Sequence, residues 1–144
     1  MKKIAAFLCG AIIATSAACS ATVAPTAIGI GKLVPGMTVS SLTSIYGQPN
    51  YKDGDEWTYG NFKVEIEKGK VQEIETRSNA LATPNGVTVG QDARVLTDAY
   101  GAADRIDVED NEEEYEFYSH DYSRKIEFKV RDGFITKIIC EIKD

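Results

Sequence analysis

The sequence is poor in the residues that staple, ligate or catalyse. Of its three cysteines, Cys9 and Cys19 lie in an apolar leading segment, and only Cys140 falls in the part expected to fold. No internal disulfide can close there, so stability must come from burial. Cys140 alternates with Ile138 and Ile142, the pattern of a small hydrophobe on the buried side of a strand. The one histidine, His120, sits in the turn-like stretch Tyr118-Ser119-His120-Asp121-Tyr122. No nucleophile–base pair, zinc spacing or phosphate-cradling glycine loop accompanies it. The chain is therefore expected to be non-enzymatic, with no catalytic, cofactor-binding or metal residues. Basic side chains are also scarce, 16 Lys and Arg against 22 Asp and Glu, for a net charge of −6. A field of that sign repels polyanions, which excludes nucleic acid as a partner.

Long apolar runs are confined to the start. Met1-Lys2-Lys3, the apolar run from Ile4 and the small residues that follow have the charged head, short core and small-residue tail of a secretory signal peptide, assigned to residues 1–18. No later run approaches the roughly 18 apolar residues of a membrane span. Two processing chemistries stay open. Ser16-Ala17-Ala18 suits ordinary signal peptidase, whereas Ser16-Ala17-Ala18-Cys19 resembles a lipobox with serine where leucine is usual. In the second case Cys19 is lipidated, and that lipid is the chain's sole route to a membrane.

What the sequence does have is one stretch used twice. Gly36-Met37-Thr38-Val39-Ser40-Ser41-Leu42-Thr43-Ser44-Ile45-Tyr46-Gly47 aligns without a gap on Gly90-Gln91-Asp92-Ala93-Arg94-Val95-Leu96-Thr97-Asp98-Ala99-Tyr100-Gly101. In the first copy Thr38 is an N-cap, Val39, Leu42, Ile45 and Tyr46 form an apolar stripe, and Gly47 followed by Pro49 ends the helix. In the second, Asp92 is the expected cap, with Ala93, Leu96, Ala99 and Tyr100 as the stripe. Helices this short need a sheet to lie on.

Strands follow each helix. After the first come Trp57–Tyr59, a Gly60-Asn61 turn, Phe62–Ile66, a Lys68-Gly69 turn and Val71–Thr76. After the second come Arg105–Val108, Tyr115–Tyr118, Ile126–Val130, an Asp132-Gly133 turn and Phe134–Ile142. The expected fold is α+β: two tandem helix-plus-antiparallel-strand repeats, with short helices on one face of the sheet and part of the other face open. Residues 19–32 read as a flexible N-terminal segment, 33–78 as the first repeat, 79–86 as a linker and 87–144 as the second repeat, all in one globular unit.

Gly-Met-Thr-Val-x-x-Leu-x-x-x-Tyr-Gly-x-Pro (36–49), the aromatic Trp57-x-Tyr59 and the strand after Lys68-Gly69-Lys70-Val71 resemble the repeat of bacterial envelope modules. These are the small outer-membrane lipoproteins of the SmpA/OmlA (BamE) type and the tandem β-lactamase-inhibitor-protein (BLIP)-like fold. The resemblance implies non-enzymatic proteins that work by protein contact. It departs from the first group in having two copies and from the second in having one clear helix per copy.

The expected function is accordingly a secreted or envelope-attached protein-binding or scaffold module whose partner is an envelope or extracellular protein. The expected contacts are the aromatic and acidic stretch around Tyr51, Asp53, Asp55 and Trp57, read as a loop, and the acidic turn with Asp110, Glu113 and Tyr115. The alternative is a periplasmic small-molecule or ion-binding module with its pocket between the repeats. The acid-rich run from Asp104 to Glu116 lacks the EF-hand order of ligands and reads as a solvated hairpin.

Overall fold

A computed structural model describes residues 22–144. The signal peptide assigned to 1–18 and the lipidation site at Cys19 lie outside the described residues. Two helices, α1 (Val39–Tyr46) and α2 (Val95–Tyr100), are each followed by four strands. After α1 come β1 (Tyr51–Asp53), β2 (Glu56–Thr58), β3 (Lys63–Glu67) and β4 (Lys70–Thr76). After α2 come β5 (Arg105–Glu109), β6 (Glu112–Tyr118), β7 (Arg124–Arg131) and β8 (Phe134–Ile142). All eight form one antiparallel sheet in the order β1-β2-β3-β4-β8-β7-β6-β5.

The alternation of apolar and polar residues sorts this sheet into two unlike faces. Register places Ile74, Cys140, Ile126 and Phe117 in one row across β4, β8, β7 and β6. All four are buried in a single apolar cluster with Leu42 of α1 and with Leu96 and Tyr100 of α2. Both helices thus cover the same side of the sheet, as expected.

The glycine that opens each repeated stretch docks the helix lead-in onto a hairpin. Gly36, at φ 91°, donates its N–H to Val71 O at 2.7 Å, and Gly90, at φ 94°, donates to Ile135 O at 2.7 Å. The hairpins turn at Lys68-Gly69 and Asp132-Gly133, where both residues of each pair have positive φ, as two-residue turns between twisted strands require. Register shifts fall at Glu65/Ile66 and at Lys129/Val130, the corresponding places of the two hairpins.

Three expectations need correction. Thr38 does cap α1, accepting from Ser41 N at 3.1 Å, but Asp92 does not cap α2. Its carboxylate takes the Arg94 N–H at 2.9 Å and the Arg94 guanidinium at 3.0 and 2.8 Å, so the helix starts only at Val95 and Ala93 stays outside it. The stretch Tyr51 to Trp57 is not a loop. It is the edge hairpin β1–β2, turned at Gly54.

The segment 19–32, expected to be flexible, is packed from residue 22 onward. A 3₁₀ turn at Pro25–Ala27 leads to Ile28, Ile30 and Leu33, all without solvent exposure. Side chains and turns from elsewhere hold it: Tyr100 Oη donates to Ala27 O at 3.1 Å, Arg124 Nη1 to Pro25 O at 2.9 Å, and His120 N to Val23 O at 2.8 Å. The linker-like stretch near residue 83 is also tied down, with Thr83 buried and Ala82 O accepting from Gly31 N at 2.8 Å.

Among the described glycines the closest approach is at Gly29, where an added Cβ would stand 2.5 Å from the Leu33 carbonyl oxygen. That oxygen belongs to backbone already bonded to Ile30 N at 3.0 Å and has no freedom to retreat. Gly29→Ala is expected to destabilise the protein by about 2 kcal/mol, the usual penalty of overpacking. Gly60→Ala, where a Cβ meets nothing within 4 Å, is the control for chemical denaturation. Equal midpoints for the two variants would show that the segment is not held as described.

Candidate binding face

The side of the sheet away from the helices is built mostly of charged side chains. Cross-strand pairing sets Asp53 against Glu56, Glu56 against Glu65, Glu65 against Glu73 and Glu73 against Glu141. Five carboxylates thus stand in line across β1, β2, β3, β4 and β8, and Lys125 and Tyr118 continue the row on β7 and β6. The neighbouring row runs Tyr51, Thr58, Lys63, Glu75, Ile139, Glu127, Glu116 and Arg105.

Cations are threaded through this lattice unevenly. Lys125 Nζ lies 3.4 Å from Glu116, 3.4 Å from Glu127 and 3.1 Å from Glu141, with its side chain only 12% exposed. Lys129 Nζ reaches Glu114 at 2.7 Å and Glu112 at 3.4 Å, and Lys137 Nζ reaches Glu75 at 3.2 Å. The three carboxylates pull the Lys125 ammonium above its ordinary pKa despite its burial. Glu65 and Glu73 have no ion pair among the described residues, although Lys63 and Lys137 both lean towards Glu75. Partial burial first, then repulsion from Glu141, Glu65 and Glu75, holds the Glu73 carboxyl above the ordinary range. Like charges directly opposite on a sheet are destabilising, so this row lowers stability.

The residues singled out from sequence do not form one patch. Tyr51, 63% exposed, and Asp53 lie on the open face at the β1 edge. Trp57 points to the helix side, half-buried against the core, with Lys52 Nζ 3.9 Å from its ring centroid. Asp55 follows Gly54 in the β1–β2 turn. Asp110, Glu113 and Tyr115 belong to the opposite edge of the sheet. Asp110 is exposed in the β5–β6 turn at φ 51°. Tyr115 is half-buried on the helix side and donates its hydroxyl to Glu113 Oε2 at 2.5 Å. Sequence reasoning passed over Glu56, Glu65, Glu73 and Glu141, because only the pairing of β4 with β8 brings the last of them into line.

A carboxylate trio at Asp107, Glu114 and Glu116 has oxygens within 4.8 Å of one another, close enough to share a cation. Each already has a protein counter-charge: Arg105 at 2.8 Å, Lys129 at 2.7 Å and Lys125 at 3.4 Å. A metal ion would have to displace these pairs. A cavity of about 670 Å³ lies beneath α2 at the β5–β6 end of the sheet. It is not between the two helix-plus-strand halves, where the alternative reading had placed a pocket.

No protein-family model and no curated protein matches this chain. Solved structures do. A DUF4309 family protein of Bacillus subtilis, YjgB, is similar over 74% of this chain and 78% of its own, at 16% identity and a TM-score of 0.53. An extracellular protein of Bacillus anthracis that contains an SCP domain is similar over 76% of this chain, at 8% identity and a TM-score of 0.52. The similarity spans only 44% of that longer chain. A suggested β-lactamase inhibitor protein of Streptococcus mutans aligns over 79% of this chain and 90% of its own, at 13% identity and a TM-score of 0.31, too low to carry an argument. The first two likenesses are of fold alone.

Proposed function

We propose that the chain is a non-catalytic protein-binding module of the bacterial envelope or exterior, and that its open acidic face meets a partner presenting a basic stripe. One observation carries the reading: the unpaired carboxylates of Glu65 and Glu73 in the middle of a like-charged row. A structural face gains nothing from such a row, whereas a face that receives cations regains there the stability it gives up. The signal-like leading segment supports delivery across a membrane, either freely or with a lipid on Cys19. Intact mass of the mature protein distinguishes the two.

We also read the architecture as one unit used twice, a helix followed by four strands. The strand order is the same from either edge, and the docking glycines, left-handed turns and register shifts recur in both halves.

Charge reversal separates stability from binding. Glu73→Lys sets an ammonium between Glu65 and Glu141, and is expected to raise stability by about 0.5 kcal/mol, the scale of a cross-strand charge pair. The same substitution should abolish capture of the partner from the parent envelope fraction, measured by affinity capture and mass spectrometry. Undiminished capture by a correctly folded Glu73→Lys protein would remove the acidic row as the binding face.

A further inference from the structure

The sheet has two free edges, β1 and β5, and they are not alike. Native edges are usually blunted by shortness, charged side chains and above all lysine, proline or a bulge. β1 has three residues and includes Lys52. β5 is Arg105-Ile106-Asp107-Val108-Glu109, paired with β6 in unbroken register, with neither lysine nor proline. Its outer edge leaves backbone donors and acceptors without a strand partner.

Both sides of that edge are concave. On the helix side Ile106, 54% exposed, lines the cavity under α2, whose floor includes Leu96, Ala103, Tyr115 and Phe117, and Val108, 71% exposed, follows it along the edge. A second cavity of about 360 Å³, on the open side, is lined by charged side chains that include Asp107, Glu109, Glu114 and Lys129, and by Val108 at the strand's edge. A strand laid alongside β5 would send alternate side chains into the two in turn.

Charge decides what those side chains are. Arg105 is held by Asp107 at 2.8 Å, and Lys129 by Glu114 and Glu112. Glu109 has no ion pair among the described residues, and on the helix side Glu113 meets only the Tyr115 hydroxyl. The surplus at the edge is therefore negative. A second copy of this chain fits badly. Seating the whole of β5 antiparallel on itself would pair Arg105 with Glu109 and Ile106 with Val108, but it sets Asp107 against Asp107 and joins two copies of the same acidic excess, which a basic strand avoids.

We propose that the outer edge of β5 takes up, as an added strand, an extended peptide segment of another protein whose side chains alternate between apolar and basic. Apolar side chains would rest on Ile106 and Val108, and a basic one would face Glu109, the acid of this strand with no ion pair among the described residues. The proposal rests on the reading of the chain as a protein-binding module and gives it a second surface, distinct from the acidic row.

The test uses the full mature chain and a short capped peptide of alternating lysine and valine, followed by amide chemical shifts. Shifts are expected at residues 105–109 and in α2, weakening as salt is raised. A peptide with glutamate in place of lysine should bind at least about tenfold more weakly, as should the lysine peptide to the Ile106→Lys/Val108→Lys protein. Tyr51→Ala, at the far edge, should leave binding unchanged. Glu109→Lys provides a check that leaves the apolar residues intact: it should weaken the lysine peptide and strengthen the glutamate one. Equal binding of the two peptides, shifts centred on the acidic row, or self-association of the chain through β5 would overturn the proposal. Loss of peptide binding at β5 with envelope capture intact removes the edge alone. Undiminished capture in Glu73→Lys with peptide binding at β5 intact removes the acidic face alone.

Discussion

Phe128→Ala is expected to cost about 4 kcal/mol, the range in which removal of a fully buried phenylalanine falls. Phe128 has no solvent exposure and stands with its ring centroid 5.4 Å from Tyr100 and 5.9 Å from Phe117, while Tyr100 and Phe117 are 5.3 Å apart. The three rings join β7, β6 and α2, so collapse of any neighbour into the void would have to drag a helix or a strand with it. Tyr100 has a further attachment, its hydroxyl bond to Ala27 O at 3.1 Å, which secures the N-terminal segment over the sheet. Loosening Tyr100 therefore frees residues well away from the substitution, and early proteolysis between 22 and 33 should accompany the lost stability. With no disulfide in the described residues and a typical stability of about 5–15 kcal/mol, the variant should stand near its unfolding threshold at room temperature. Phe134→Ala, at a position 53% exposed, is the comparison and should lose less than about 1 kcal/mol. Denaturant midpoints followed by circular dichroism decide the matter. A loss at Phe128 no larger than that at Phe134 would mean the aromatic cluster does not hold the fold.

The contrast between these two phenylalanines was legible in part. Phe128 lies in a strand whose alternation with Ile126 and Val130 shows which side faces inward, and the hairpin turns at Lys68-Gly69 and Asp132-Gly133 announce themselves by residues that tolerate positive φ. Thr38 was readable as a cap because its hydroxyl can accept from Ser41 N while it donates to Ser41 Oγ at 3.0 Å, so its second bond does not displace the first. Asp92 was not, since Arg94 two residues on claims both its oxygens, and local spacing cannot show which partner wins. That pairing holds the Asp92 carboxyl down to about 2.

Ile28, Ile30 and Leu33 have no helical or strand period, and their burial is imposed by residues distant in sequence. Tyr51 to Asp53 is too short to announce itself as a strand. The acidic row required more still. Each of its carboxylates occupies an ordinary outward position on its own strand, and only the register of five strands turns separate solvated residues into one line. Composition alone points instead to the densest acidic stretch, Asp104 to Glu116. There the charges alternate with Tyr115 and Phe117, and several already have partners on β7.

The lattice also makes stability depend on a single ammonium. Lys125→Met is expected to destabilise the protein by about 3 kcal/mol at neutral pH, although methionine fills nearly the same volume. The lysine serves three carboxylates at once, and two of them belong to Glu116 and Glu127, which are 5% and 8% exposed. Without it Glu116 keeps the Tyr118 hydroxyl at 2.9 Å, and Glu127 keeps Lys129 at 3.7 Å, weak compensation for charges shielded from water. Breaking a buried pair by removing one partner is costlier than never having made it. The pH dependence follows in sign. Burial, then repulsion from Glu114, already holds the Glu127 carboxyl above its ordinary range in the folded protein, and loss of Lys125 raises it further. A carboxyl raised by folding favours the folded state fully below the ordinary glutamate value of about 4.3. That contribution is lost as pH rises through the folded value. The deficit of Lys125→Met should therefore be largest at pH 7 and shrink towards pH 4, as the orphaned Glu127 carboxyl takes up its proton. The Asp92 pairing, whose stabilisation is lost only as pH falls towards about 2, is common to both proteins and cancels in the difference. Urea unfolding of the two proteins at several pH values measures this directly. A deficit that stays constant from pH 7 to pH 4 would mean that packing of the lysine stem, and not its charge, holds the centre of the face.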